Sequence, residues 1–95
     1  MKTNTTDDSF FAAPLDPQQE ARALAQEVLC RLFIWIAEGL NLEDRGLRAT
    51  VALYCVRPDL IDNATLEEIG DRAGRTRQAV HKLADSFRHS TGFEP

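Results

Sequence analysis

The residues best suited to chemistry stand together near the end of this 95-residue chain. Arg75, Thr76, Arg77, Gln78, His81 and Lys82 all lie within the run RTRQAVHK. Glutamine can make a paired contact with an adenine edge and arginine with a guanine edge, while threonine and lysine position on phosphate. Positions 78, 81, 82 and 85 recur at three- and four-residue steps, so on a helix they share one stripe. These types at this spacing point to the reading of duplex nucleic acid by a helix. The bland alternative is a solvated polar face, which surface helices commonly present. A histidine such as His81 can also act as a base, a metal ligand or a pH switch. No serine or cysteine nucleophile and no carboxylate pair is spaced to use it, however. His89 suits the carbonyl end of the same helix.

The elements that must position these residues are legible on either side. Thr65 followed by Glu68 forms a capping box, in which each side chain satisfies a backbone donor left free at a helix start. The helix it opens runs from Leu66 to about Ala73. Gly74 then offers the left-handed conformation in which helices commonly end. Thr76 caps a second helix carrying Arg77, Gln78, His81 and Lys82. Leu66, Ile69 and Ala73 on the first helix, and Ala79, Val80, Leu83 and Phe87 on the second, supply the faces that lock the pair together. Ala73 and Gly74 are small where the helices are expected to approach. Over residues 65–91 this is the helix-turn-helix pattern, whose second helix enters a DNA major groove.

The front of the chain must support that motif. Residues 1–15 are polar and read as a disordered arm. Within it Phe10 and Phe11 either tuck loosely onto the domain or form a short docking motif. Asp16 and Pro17 open a long helix, Gln19 fits its cap, and Gly39 ends it after Glu38. Ala21, Leu24, Ala25, Val28, Leu29, Leu32 and Ile36 give that helix one face to bury. Residues 32–37 leave no polar side and need cover from more than one direction, either in the core or with Phe33 or Trp35 in a dimer interface. Asn41 caps a further helix, with Glu43 and Asp44 near its positive end; Gly46 places its firm start nearer Arg45. Leu47, Val51, Leu53, Tyr54 and Val56 form its apolar side, and the Arg57-Pro58 pair stops it. Leu60 and Ile61 in the connector 59–64 plug the core. No run alternates as a strand does. The expectation is an all-α domain of about four helices over residues 16–95, ending in the helix-turn-helix.

Charge sharpens the functional reading. The chain carries 11 basic and 15 acidic side chains, a net charge of −4. Within residues 72–89, by contrast, five basic groups (Arg72, Arg75, Arg77, Lys82, Arg88) face Asp85 alone. A focused basic patch on an acidic chain holds phosphates locally while the remainder repels them. The two cysteines, Cys30 and Cys55, read as buried free thiols and suit a reducing cytoplasm. They are too few for a structural zinc site unless His81 or His89 joins them, and the spacing gives no support for that. There is no apolar run long enough to span a bilayer, no secretory signal, no phosphate-binding glycine loop and no catalytic constellation. The chain is thus expected to be a cytoplasmic binding protein rather than an enzyme, with no cofactor, metal or membrane partner.

The run TLEEIGDRAGRTRQAVHKL resembles the promoter-recognising C-terminal domain of bacterial primary sigma factors. That domain likewise has leucine-x-glutamate-isoleucine-glycine, a small-residue turn and a threonine- or serine-capped helix with arginines and a glutamine. The resemblance covers a fifth to a third of the chain. It implies that Arg75, Thr76, Arg77, Gln78 and His81 take backbone- or base-contacting positions. The upstream chain does not follow a sigma factor. Small phage or prophage DNA-binding proteins, including the DNA-recognising domain of terminase small subunits, are also similar. The expected function is sequence-specific binding of double-stranded DNA, as a transcriptional regulator that forms a homo-oligomer, such as a dimer, through the long first helix. The alternatives are DNA recognition in phage packaging, or a protein–protein adaptor that keeps the fold without the DNA role.

Overall fold

A computed structural model describes residues 16–93 of the chain. Four α-helices and one short 3-10 turn make up the described residues: α1 Pro17–Ala37, α2 Leu42–Val56, the turn Pro58–Ile61, α3 Leu66–Ala73 and α4 Arg77–Thr91. No strand occurs among them. The expected arm 1–15, with Phe10 and Phe11, lies outside the described residues.

The helix boundaries follow the caps. Asp16 accepts a hydrogen bond from the Gln19 amide at 2.9 Å, and Pro17 takes the first helical position. Asn41 accepts from the Asp44 amide at 2.8 Å. With that cap made, α2 begins at Leu42 rather than near Arg45, and Gly46 lies inside it. The first helix ends one residue earlier than expected, with Glu38 as its cap. Arg57 stops α2 in a non-helical conformation before Pro58.

The core lies where α2, α3, α4 and the last turns of α1 meet. It is built from Trp35, Leu47, Val51, Ala52, Cys55, Leu66, Ile69, Val80, Ala84 and Phe87. Trp35 ties α1 to this body and is 1% exposed. Its indole N–H donates to Ser86 Oγ at 3.0 Å, and its ring meets Phe87 edge-on at 5.3 Å. From the other side Arg48 Nη1 donates to the Trp35 carbonyl at 2.8 Å, and the guanidinium lies 4.9 Å from the ring centroid.

Several expectations are corrected here. The apolar face of α1 is not buried as a whole, because residues 17–31 are all exposed and extend beyond the body. Only Leu32, Trp35 and Ile36 of that helix pack against the core. Phe33 and Ile34, on the far side of α1, stay 62% and 61% exposed. Cys30 is exposed for the same reason, whereas Cys55 is buried. Leu60 points outward from the 3-10 turn, and Ile61 alone packs against the core from there. Val56, expected on the apolar side of α2, is exposed at its end. Ala73 is exposed, and Ala52 and Ala84, which were not among the expected apolar faces, join the core.

Candidate nucleic-acid interface

The segment 65–91 folds as two capped helices joined by a three-residue turn. Both halves of the capping box are made: Thr65 N–H donates to Glu68 Oε1 at 2.8 Å, and Glu68 N–H donates to Thr65 Oγ1 at 3.1 Å. The Glu68 carboxyl is held below the usual glutamate range chiefly by the bond from the Thr65 backbone N–H. Gly74 closes α3 with φ of +68°, a conformation that costs a residue bearing a Cβ more than it costs glycine. Thr76 then opens α4, its Oγ1 accepting from the Ala79 amide at 3.1 Å.

The close approach of the two helices falls at Gly70, not at Ala73 or Gly74. A Cβ at position 70 would stand 2.9 Å from the Arg75 carbonyl and 3.2 Å from Val80 Cγ2. The Arg75 amide also donates to the Gly70 carbonyl at 2.9 Å. Gly70 therefore sets how tightly the turn folds back on α3, and so the angle at which α4 leaves it. The glycine in the run EIG was the available signal, but its use depends on where α4 returns.

Leu66 and Ile69 of α3 and Val80, Ala84 and Phe87 of α4 face inward and are buried. Arg77, Gln78, His81 and Lys82 are exposed, on and beside the outer face of α4 at its N-terminal half. Among the described residues no side chain forms a hydrogen bond or ion pair with any of these four. They lie open to solvent in the first turns of α4, near the positive end of its dipole.

Two of the proposed contact residues are already engaged. The Thr76 hydroxyl oxygen accepts the cap bond, which leaves its O–H free to donate outward. Arg75 is paired with Asp44 of α2, which bridges the turn to the start of that helix. The Asp44 carboxyl is held below the usual aspartate range chiefly by this bond. Arg88, also counted in the basic patch, is paired with Asp85 at 3.3 Å. The cationic front of α4 is thus narrower than the sequence implies, and rests on Arg77 and Lys82. Arg72 lies exposed on the neighbouring helix.

Among the described residues no three histidine, cysteine, aspartate or glutamate side chains gather as a metal site. No helix there is long and apolar enough to cross a membrane. No protein-family model, curated protein or solved structure matches the chain.

Proposed function

We propose that the chain binds double-stranded DNA sequence-specifically, as a cytoplasmic transcriptional regulator that works as a homo-oligomer. The N-terminal half of α4 enters the major groove. There Arg77 and Gln78 read base edges, His81 and Lys82 contact bases or phosphate, and Thr76 holds the backbone at the groove edge, while Arg75 stays on Asp44. The observation that carries this reading is the unpaired, exposed set Arg77, Gln78, His81 and Lys82 at the start of a capped helix. That helix is held at a fixed angle to α3 by the contacts of Gly70. Most of the chain is acidic, so contact with phosphate is confined to this end. The exposed first helix supplies the surface for oligomerisation.

The test is titration onto random-sequence duplex with increasing salt, followed by selection of bound sequences from a random pool. Binding at low salt that weakens linearly on logarithmic axes is expected, because phosphate contacts release counterions. Absence of binding to any duplex at low salt refutes the reading. Replacing Arg77, Gln78, His81 and Lys82 together with alanine is expected to abolish selection; unchanged DNA binding would show that this stripe is not the reading head.

A further inference from the structure

The N-terminal part of α1 runs free of the body, and every residue from 17 to 31 is exposed. Leu24, Val28 and Leu29 are 64%, 54% and 51% exposed. They continue, turn by turn, the stripe that Leu32, Trp35 and Ile36 bury against the body. An isolated helix of about 15 residues is marginal in water, so an uncovered stripe of this kind is stable only with a partner. We infer that the partner is a second copy of the same chain, packed antiparallel along residues 17–31 of α1.

The charges beside the stripe choose both the partner and its direction. Glu20 and Arg31 lie three turns apart on the same edge of the stripe, at 3.6 residues per turn. In an antiparallel pair centred between Ala25 and Gln26, Glu20 of one copy falls opposite Arg31 of the other. The two-fold axis repeats the contact, so the surface complements itself. Arg31 is already oriented along this edge by its 2.8 Å bridge to Glu27 one turn earlier. A parallel pair would set the Glu20 and Arg31 edges of the two copies on opposite sides of the seam, where they cannot pair, and drive the two bodies into each other at the far end. The small residues Ala21 and Ala25 fall near the axis and allow the helices to approach closely.

The arrangement has a consequence for the reading head, which rests on the proposed DNA function. With the axis near residue 25, the two Trp35 anchors stand about 29 Å apart along the helices, at ~1.5 Å per residue. Half-sites one turn of DNA apart are separated by roughly 34 Å. The separation of the two anchors is thus of the same order as the spacing of such half-sites.

The test uses two full-length variants, each with Cys30→Ser to remove the exposed thiol: one carries Glu20→Cys, the other Arg31→Cys, and they are tagged with different masses. Cys55 is buried and stays unreactive. The variants are mixed and treated with a short bismaleimide. The antiparallel pair gives a mixed product and little of either homotypic one. The untreated wild-type chain sediments at twice 10.6 kDa, and Leu24→Asp, at an exposed position, converts it to a monomer that loses helical content from the free part of α1 alone and keeps the cooperative unfolding of the body. Homotypic products in place of the mixed one overturn the antiparallel geometry. A wild-type monomer at all concentrations, with no mixed product, overturns the pairing outright. Duplex binding is measured separately on the wild-type chain. A crosslinked antiparallel pair that ignores duplex upholds the pairing and sinks the DNA reading, whereas a monomer that binds duplex does the reverse.

Discussion

Trp35 is the joint between α1 and the body, so Trp35→Phe should loosen that joint by a predictable amount. The substitution removes the indole N–H that donates to Ser86 Oγ at 3.0 Å. A net hydrogen bond of this kind is worth about 1 kcal/mol. The missing ring atoms leave a void on the order of 40 Å³, which at ~24 cal/mol per Å³ costs about another 1 kcal/mol. Arg48 stands over the tryptophan face, and its weaker attraction to phenylalanine adds about 0.5 kcal/mol. The edge contact with Phe87 is retained in kind. The total is about 2.5 kcal/mol, a large fraction of the stability of a small domain. Urea unfolding followed by circular dichroism at 222 nm should show it. With a slope of about 1 kcal/mol per molar for a domain of this size, the midpoint should fall by roughly 2.5 M. Phe33→Ala, two residues away on the exposed side of α1, should move the midpoint by less than about 0.5 M, since surface substitutions stay within ~0.5 kcal/mol. Ser86→Ala alone should account for the hydrogen-bond share and couple with Trp35→Phe in a double-mutant cycle. A Trp35→Phe midpoint within about 0.5 M of wild type, on the same slope, would refute the assignment of Trp35 as the anchor.

Three further outcomes follow from the motif. Gly70→Ala should destabilise the domain by about 1–3 kcal/mol, because the new methyl group meets backbone that cannot move without opening the turn; urea unfolding measures it, and a neutral result would show that the turn has slack. Asp44→Asn should free Arg75 for phosphate, and with one more contact the slope of log affinity against log salt should steepen by about 0.9, a gain of roughly threefold at 50 mM relative to 200 mM; an unchanged slope would show that Arg75 stays a purely structural clamp. Glu68 has a depressed pKa in the folded chain, so its contribution is fully present above about pH 5 and is lost as the pH falls through the folded value; the drop in stability with acid should be shallower in Glu68→Gln, measured by denaturant unfolding from pH 6 to pH 3.

What the sequence made legible was local, and the reason is physical. A cap joins residues three positions apart, so Asp16, Asn41, Thr65 and Thr76 announce their helices without help from the rest of the chain. The exposure of Arg77, Gln78, His81 and Lys82 also follows from helical period alone. Contacts that depend on the return of a distant segment carry no such mark. The Trp35–Ser86 bond joins residues 51 positions apart, and the Arg75–Asp44 pair joins residues 31 apart. The first made Trp35 core while its neighbour Phe33 stayed in solvent; the second withdrew a cation from the patch that charge counting assigned to it. Amphipathicity misled in α1 for a related reason. An apolar stripe says that a face is to be covered, but not whether the cover comes from the same chain.

That distinction bears on how the two ends of the chain work together. α4 is divided along its length: its first turns carry Arg77, Gln78, His81 and Lys82, while Ser86 and Phe87 in its later turns grip Trp35. One rigid helix thus connects the exposed polar head to the anchor of α1. Arg48 locks the same anchor from α2, and Asp44 of that helix holds the turn before α4. The direction of α1 is therefore fixed relative to the direction of α4 by short contacts rather than by a flexible linker. On the proposed reading, a dimer formed through α1 then presents its two heads at a set distance and angle, so discrimination between DNA sites should depend on half-site spacing as well as on base identity. Loosening Trp35 should relax the spacing requirement before it weakens contact with a single half-site, because the front of α4 is packed by Val80, Leu66 and Ile69, which do not depend on α1.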